Sequence, residues 1–307
     1  MRRPRSYVLG AALLALGLLL GACGSGGDDD DSSAGGGGGT EEKGQVTVGD
    51  DSFAESQIVA EMYAQVLENA GYAVDRKSTK SREVRLPAME SGEIDVAPEY
   101  LATLISVLDP KEGRVNDPQE AVEILEPLLA EKGLTVLEPS TAVDTNIFAV
   151  TQETAEKYQT LSDIAPDAGE LTLGAPAECP TRPYCIPGLK DVYGIEFGEF
   201  EPLEYGPATA AALENGAVDV ALLFSTDGSV ERGNFVVLED DKGLQAADNI
   251  TPLVTEEVLN DEVAELLNSV SAALTTEIMT ELNSRVNNDQ EDPEDVAAEF
   301  LEQEGLL

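Results

Sequence analysis

Two short patterns occur twice, in the same order and at nearly the same separation. Val46-Thr47-Val48-Gly49 returns as Leu171-Thr172-Leu173-Gly174. Met89-Glu90-Ser91-Gly92-Glu93-Ile94-Asp95-Val96-Ala97 returns as Leu213-Glu214-Asn215-Gly216-Ala217-Val218-Asp219-Val220-Ala221. Chance can give either echo alone; the ordered pair is harder to obtain and constrains the chain to two similar halves. In each half an apolar run reads as a buried strand, and a later helix ends at a glycine with the next strand directly after it. Gly92 and Gly216 stand where a helix C′ residue belongs. The pattern predicts two similar α/β lobes, each around a largely parallel sheet. In the first lobe, Ser52-Phe53-Ala54-Glu55 has the capping-box form, with Ser52 as cap and Glu55 reaching back. Ile58, Val59, Met62, Val66 and Leu67 then recur at helical spacing up to Gly71. A strand from Tyr72 to Arg76 and a helix carrying Val84, Leu86, Ala88 and Met89 follow. Open α/β sheets place ligands beyond the C-terminal ends of their strands. That rule selects 50–56 and 98–103 in one lobe, 175–184 and 224–228 in the other, and so a cleft between the lobes.

Upstream of this body the chain changes character. Arg2, Arg3 and Arg5 precede an apolar run from Val8 to Leu20, the length of a signal-peptide core and short for a membrane span. The run ends in Leu20-Gly21-Ala22-Cys23. Small residues before a cysteine resemble a bacterial lipobox, which makes 1–22 a lipoprotein signal peptide and Cys23 the lipidated first residue. An ordinary signal peptide or a single-span anchor is the alternative. Acyl chains contribute about 0.8 kcal/mol per buried CH₂, so several hold a protein durably on a membrane. Residues 23–44, with Asp28 to Asp31 and Gly35 to Gly39, read as a flexible, solvated tether.

The roughly 260 residues that remain suffice for two cores. Acidic residues number 60 against 18 basic, a net charge of -42, which argues against nucleic-acid binding and for solubility. There is no histidine. Ser-His and Cys-His catalysis and imidazole metal sites are thereby excluded. No catalytic residue, metal or cofactor is expected. Cys179 and Cys185, in Cys179-Pro180-Thr181-Arg182-Pro183-Tyr184-Cys185, are expected to pair as a disulfide outside the cytoplasm. So short a closed loop contributes about 2 kcal/mol in the chain-entropy model, and it would fix Arg182 and Tyr184. A metal pair lacks further soft ligands.

Gly49-Asp50-Asp51-Ser52-Phe53-Ala54-Glu55 with Glu61-Met62-Tyr63-Ala64-Gln65 resembles the opening motif of osmoprotectant-binding proteins, the glycine betaine/choline/carnitine type of ABC importer component. The likeness continues through Pro98-Glu99-Tyr100 with Thr103, Pro187-Gly188-Leu189, Val192-Tyr193-Gly194, Phe224-Ser225-Thr226-Asp227-Gly228 and Leu238-Glu239-Asp240-Asp241. It covers about residues 45 to 305 and, with the N-terminus, is that of an actinobacterial-like lipoprotein. The resemblance implies an α/β, two-lobe periplasmic-binding-protein fold of type II, closing on ligand by a hinge. It further implies permease and ATPase partners, and a monomer held by its lipid on the extracytoplasmic face of the membrane.

Members of that family cage a quaternary ammonium with tyrosines, because a cation without donors is best held over aromatic faces. Tyr100 matches one wall, or packs in the core beside Pro98. Asn146 falls where a tyrosine is common, Phe224 replaces another, and 208–209 offer none; Tyr184 is a candidate replacement. Arg182 matches the arginine of the family's Arg-Pro-x-x-x-Pro-Gly-Leu stretch and is the expected anion anchor for the ligand, the alternative being a role in satisfying loop carbonyls. Thr103 and Ser52 are contacts or caps, Asp50 and Asp227 turn caps, and Arg82 lies near the cleft or starts a helix. The thinned cage leaves open a different small zwitterion or polar solute, and a sensory lipoprotein in place of a transport one. Lobe I is expected over 45–143 and 232–307, lobe II over 144–231. The crossings then fall near Asp144 and 229–234, and the chain from Asn249 on is helical and packs on lobe I.

Overall fold

The computed structural model describes residues 43–112 and 114–307. The signal peptide at 1–22, Cys23 and all but the last two residues of the tether lie outside the described residues. One sheet contains β1 (Gln45–Asp51), β2 (Ala73–Thr79), β3 (Val96–Tyr100), β4 (Leu134–Val136) and β10 (Ile250–Thr255), in the order β2-β1-β3-β10-β4. The other contains β5 (Asn146–Val150), β6 (Thr172–Ala175), β7 (Glu199–Pro202), β8 (Val220–Phe224) and β9 (Val236–Val237), in the order β7-β6-β8-β5-β9. The two orders correspond, and the repeated residues occupy equivalent rungs: Val48 opposite Val96, and Leu173 opposite Val220. Gly92 and Gly216 take φ of 73° and 69°, the left-handed turn that lets each helix hand over to its strand.

Each sheet is mixed rather than largely parallel. β1 runs parallel to β2 and β3, but β10 is antiparallel to β3 and β4. β6 runs parallel to β7 and β8, and β5 is antiparallel to β8 and β9. The cause is the path of the chain. β5 and β10 are the first strands after a change of lobe. They start beside the C-terminal ends of β8 and β3, with Asn146 opposite Phe224 and Ile250 opposite Tyr100, and run back.

The return to the first lobe falls later than 229–234. β9 pairs with β5, and Leu238, Leu244 and Ala246 pack in the second core with Phe148, Leu173 and Val220. The return therefore lies at Asp248–Asn249, and the segment after it opens with strand β10 before the helix Asp261–Ala273. The two crossing segments lie side by side. Val143 bridges Asn249 antiparallel, and the Asp144 N–H donates to the Asp248 carbonyl at 2.9 Å.

Helix α1 (Ala54–Asn69) is the centre of the first core, with Ile58, Met62 and Tyr63 fully buried. The C-terminal helices Asp261–Ala273, Thr276–Asp289 and Pro293–Glu304 surround it, burying Val263, Met279 and Phe300. Pro293 takes the first helical position, and Asp292 caps the Glu294 N–H at 3.0 Å, where the proline's missing N–H costs nothing.

Candidate functional site

The C-terminal ends of β1, β3, β6 and β8 converge on the crossings, and a cavity of about 680 Å³, counting the solvent at its mouth, lies between the lobes. Tyr100, Thr103, Asn146, Arg182, Tyr184 and Phe224 all line it. Ser52 does not. Its hydroxyl donates to the Thr79 carbonyl at 2.6 Å, at the parallel end of β1 and β2, where Asp51 and Thr79 are opposite. The expected capping box is absent: Phe53 is the N-cap of α1 and no side chain caps it. Glu55 turns inward instead, accepting from the Tyr100 hydroxyl at 2.9 Å and from Asn283 at 2.8 Å.

Four rings meet in the cleft, two from each lobe. Phe53 lies 6.3 Å from Tyr100, 5.3 Å from Tyr205 and 6.0 Å from Phe224, centroid to centroid, and Tyr205 stacks on Phe224 at 5.4 Å. Phe53 and Tyr205 were not anticipated from sequence. Phe53 lies within 50–56, but the helical pattern assigned it to a first turn. Tyr205 sits just beyond β7, immediately before Gly206-Pro207, three residues ahead of the 208–209 stretch read for a ring. Tyr184 lines the cavity without joining this cluster. Asn146 donates through its amide to the Tyr184 carbonyl at 3.2 Å, so it braces the cysteine loop.

The charges on the cleft floor are spent on each other. Arg82 donates to Glu99 Oε1 at 2.8 and 2.6 Å, and Arg85 reaches Asp51 and Glu99 Oε2 at 3.1 Å. Burial pushes the Glu99 carboxyl up, but Arg82 and Arg85 outweigh it and hold it at about 2. A paired, buried arginine of this kind is a poor receptor for a further anion. Thr103 gives its N–H (2.8 Å) and its hydroxyl to Asp248, so here it anchors the return crossing. Burial nonetheless pushes Asp248 up to about 6. Asp144, on the outward crossing, accepts from the Thr226 hydroxyl at 2.9 Å. Burial, reinforced by Glu55, raises it well above the carboxylate range.

Arg182 is differently placed. Its side chain donates to the Tyr205 hydroxyl at 2.9 Å and, across the cleft, to both Glu83 oxygens at 3.3 Å. Nε is buried without a partner. The side chain makes no hydrogen bond to a loop carbonyl among the described residues. The loop that presents it is closed by the Cys179–Cys185 disulfide, with Cα atoms 5.3 Å apart. Asp227 caps the next turn through the Ser229 N–H at 2.8 Å, and Asp50 accepts from Ser78 at 2.6 Å, away from the cavity lining.

Residues 44–303 match the family model described as the substrate-binding domain of the ABC-type glycine betaine transport system. The chain is 30% identical over 270 residues to the carnitine transport binding protein OpuCC of Listeria monocytogenes, spanning 85% of this chain and 87% of that one. It is 29% identical over 276 residues to the glycine betaine-binding protein YehZ of Escherichia coli, spanning 85% and 90%. Among solved structures, that of a glycine betaine/carnitine/choline ABC transporter protein matches at a TM-score of 0.66 and 28% identity, covering 85% of this chain and 99% of that one.

Proposed function

The chain belongs to the family of substrate-binding domains of ABC-type glycine betaine transport systems, and on that premise we propose that its cleft captures a small quaternary amine of the glycine betaine, choline or carnitine kind. As a member it is a solute-binding component of an ABC importer for small polar or zwitterionic solutes, acts outside the cytoplasm and is not an enzyme. The observation that carries the ligand assignment is the convergence of Phe53, Tyr100, Tyr205 and Phe224 from both lobes. A trimethylammonium head offers no hydrogen-bond donor and gains most over aromatic faces, within about 6 Å of a ring centroid. The rings pack on each other at that same spacing, so the head must part them. Parting and re-forming the cluster around the ligand couples binding to rotation about the two crossings, and ligand favours the closed form.

The polar end of the ligand falls to Arg182, with Tyr184 and Asn146 supporting it; Thr103 is committed to Asp248. The closed body then docks on a permease driven by an ATPase. Cys23 carries the lipid, 1–22 is removed as the signal peptide, and the remaining tether gives a monomeric body its reach above the membrane. The test is a thermal-shift screen with glycine betaine, choline, carnitine, amino acids and sugars. Ligand at about a hundred times its dissociation constant adds about 2.7 kcal/mol. A shift confined to quaternary amines is expected; a shift only with sugars or amino acids lacking that group refutes the assignment.

A further inference from the structure

Arg182 is the cleft arginine whose charge is not consumed by buried partners, and its anion seat already holds a carboxylate of this chain. Glu83, at the start of α2 (Arg82–Glu90), reaches it from the opposite lobe. The contact is loose: 3.3 Å to both oxygens, against about 2.7–2.9 Å for a strong charge-assisted bond. The Glu83 side chain is 47% exposed and that of Arg182 22%, and Arg182 Nε still has no acceptor. We propose that Glu83 is an internal counter-anion for Arg182, which a ligand carboxylate must displace, so that the site favours a net cation such as choline over a zwitterion such as glycine betaine.

This rests on the quaternary-amine reading. The surroundings support it. Arg82, the other arginine at the lining, is taken by Glu99, so among the described residues no second guanidinium is free to hold a carboxylate there, and Lys80 stands exposed at the lining. The molecule as a whole carries -42, which concentrates cations at a cleft and repels anions. An alcohol leaves Glu83 on Arg182. A carboxylate gains the arginine, including its free Nε, only after Glu83 has been released to solvent, and that exchange is nearly balanced because Glu83 is half exposed.

The test compares the full-length protein with E83Q and R182A, using choline and glycine betaine by calorimetric titration, and sodium acetate against matched sodium chloride by melting. E83Q should tighten glycine betaine about two- to fivefold, the range of a partly exposed ion pair, and leave choline unchanged. Acetate should protect E83Q more than wild type and should not protect R182A. Equal changes for choline and betaine in E83Q, or weakening of both, overturn the proposal, because Glu83 is then a closure contact. Acetate protection that survives R182A places the anion elsewhere, at Lys80 for example, and also overturns it. If neither amine binds any form, the ligand class falls, and the acetate comparison alone decides the role of Glu83.

Discussion

Phe53 separates the aromatic from the merely apolar contribution to the site. It touches all three other rings, while its backbone is the N-cap of α1. Phe53→Leu keeps most of the apolar volume and removes the ring face. Loss of one cation–π partner, about 0.5–2 kcal/mol, is expected to weaken choline about two- to thirtyfold. The affinity for choline's neutral all-carbon isostere should change far less. An equal loss for both compounds means that the ring supplies only area. The residue scale is also where sequence served the site unevenly. Tyr100, Phe224 and Arg182 lie in stretches that the strand-end rule and the family likeness both select, and all three line the cleft. Phe53 and Tyr205 carry no local pattern that marks them as ligand-facing, because what makes them a wall is the approach of the opposite lobe. Ser52 shows the converse: a good capping box in sequence that does not form, because α1 starts one residue later at N-cap Phe53, Glu55 turns inward to Tyr100 and Asn283, and strand pairing brings the Thr79 carbonyl to the Ser52 hydroxyl.

The element that orients Arg182 is the disulfide-closed loop, braced from outside by Asn146 and Gln245, whose amides donate to the Tyr184 carbonyl at 3.2 and 3.0 Å. Gly188 sits under the loop: a Cβ there would lie 2.2 Å from the Pro183 carbonyl oxygen, so the helix after the loop can approach only without a side chain. Reduction of the disulfide should cost about 2 kcal/mol, which lowers the melting temperature by about 4–8 °C for a chain of this size. It should also weaken glycine betaine more than choline, since Arg182 loses its fixed position. Melting with and without reductant, with the Cys179→Ser/Cys185→Ser double variant as the reference for full reduction, measures this. Unchanged melting in the double variant would show that the braces alone hold the loop. The repeat made β1, β3, β6 and β8 legible because each has an apolar run and a glycine ahead of it or behind. β9, two residues long, has no period to read, and β10 resembles any apolar run before a helical stretch. Those two strands decide where the chain changes lobe, which is why the second crossing was misplaced.

At the scale of the whole molecule, the buried carboxyls make the folding equilibrium depend on pH in two opposed ways. Glu99 is held at about 2 by Arg82 and Arg85. Its contribution is complete above the ordinary carboxylate range and is lost as pH falls through that range toward 2. Asp248 is raised to about 6 by burial, and burial raises Glu55 and Asp144 as well. A raised carboxyl binds its proton more tightly in the folded state, so its contribution is full at acid pH and is lost as pH rises through the folded value. Self-repulsion of the -42 charge acts in the same sense. Stability should therefore peak at about pH 4–5, decline on the acid side through Glu99, and fall by on the order of 2 kcal/mol toward about pH 7 from Asp248 alone. Urea midpoints across this range in molar salt check it. Salt shortens the Debye length to about 3 Å and removes the surface share of the decline, but it leaves the buried share. Asp248→Asn can still accept the Thr103 N–H, so it should keep the fold and the acid limb while flattening the high-salt decline between about pH 5 and 7. An equal slope in the variant would clear Asp248 and leave the decline to Glu55 and Asp144; a wild-type midpoint that rises over that interval would show that the hinge carboxyls are ionised in the folded state. The two crossings would then carry charged carboxyls at Asp144 and Asp248, held against their repulsion by the backbone bridge between Val143 and Asn249.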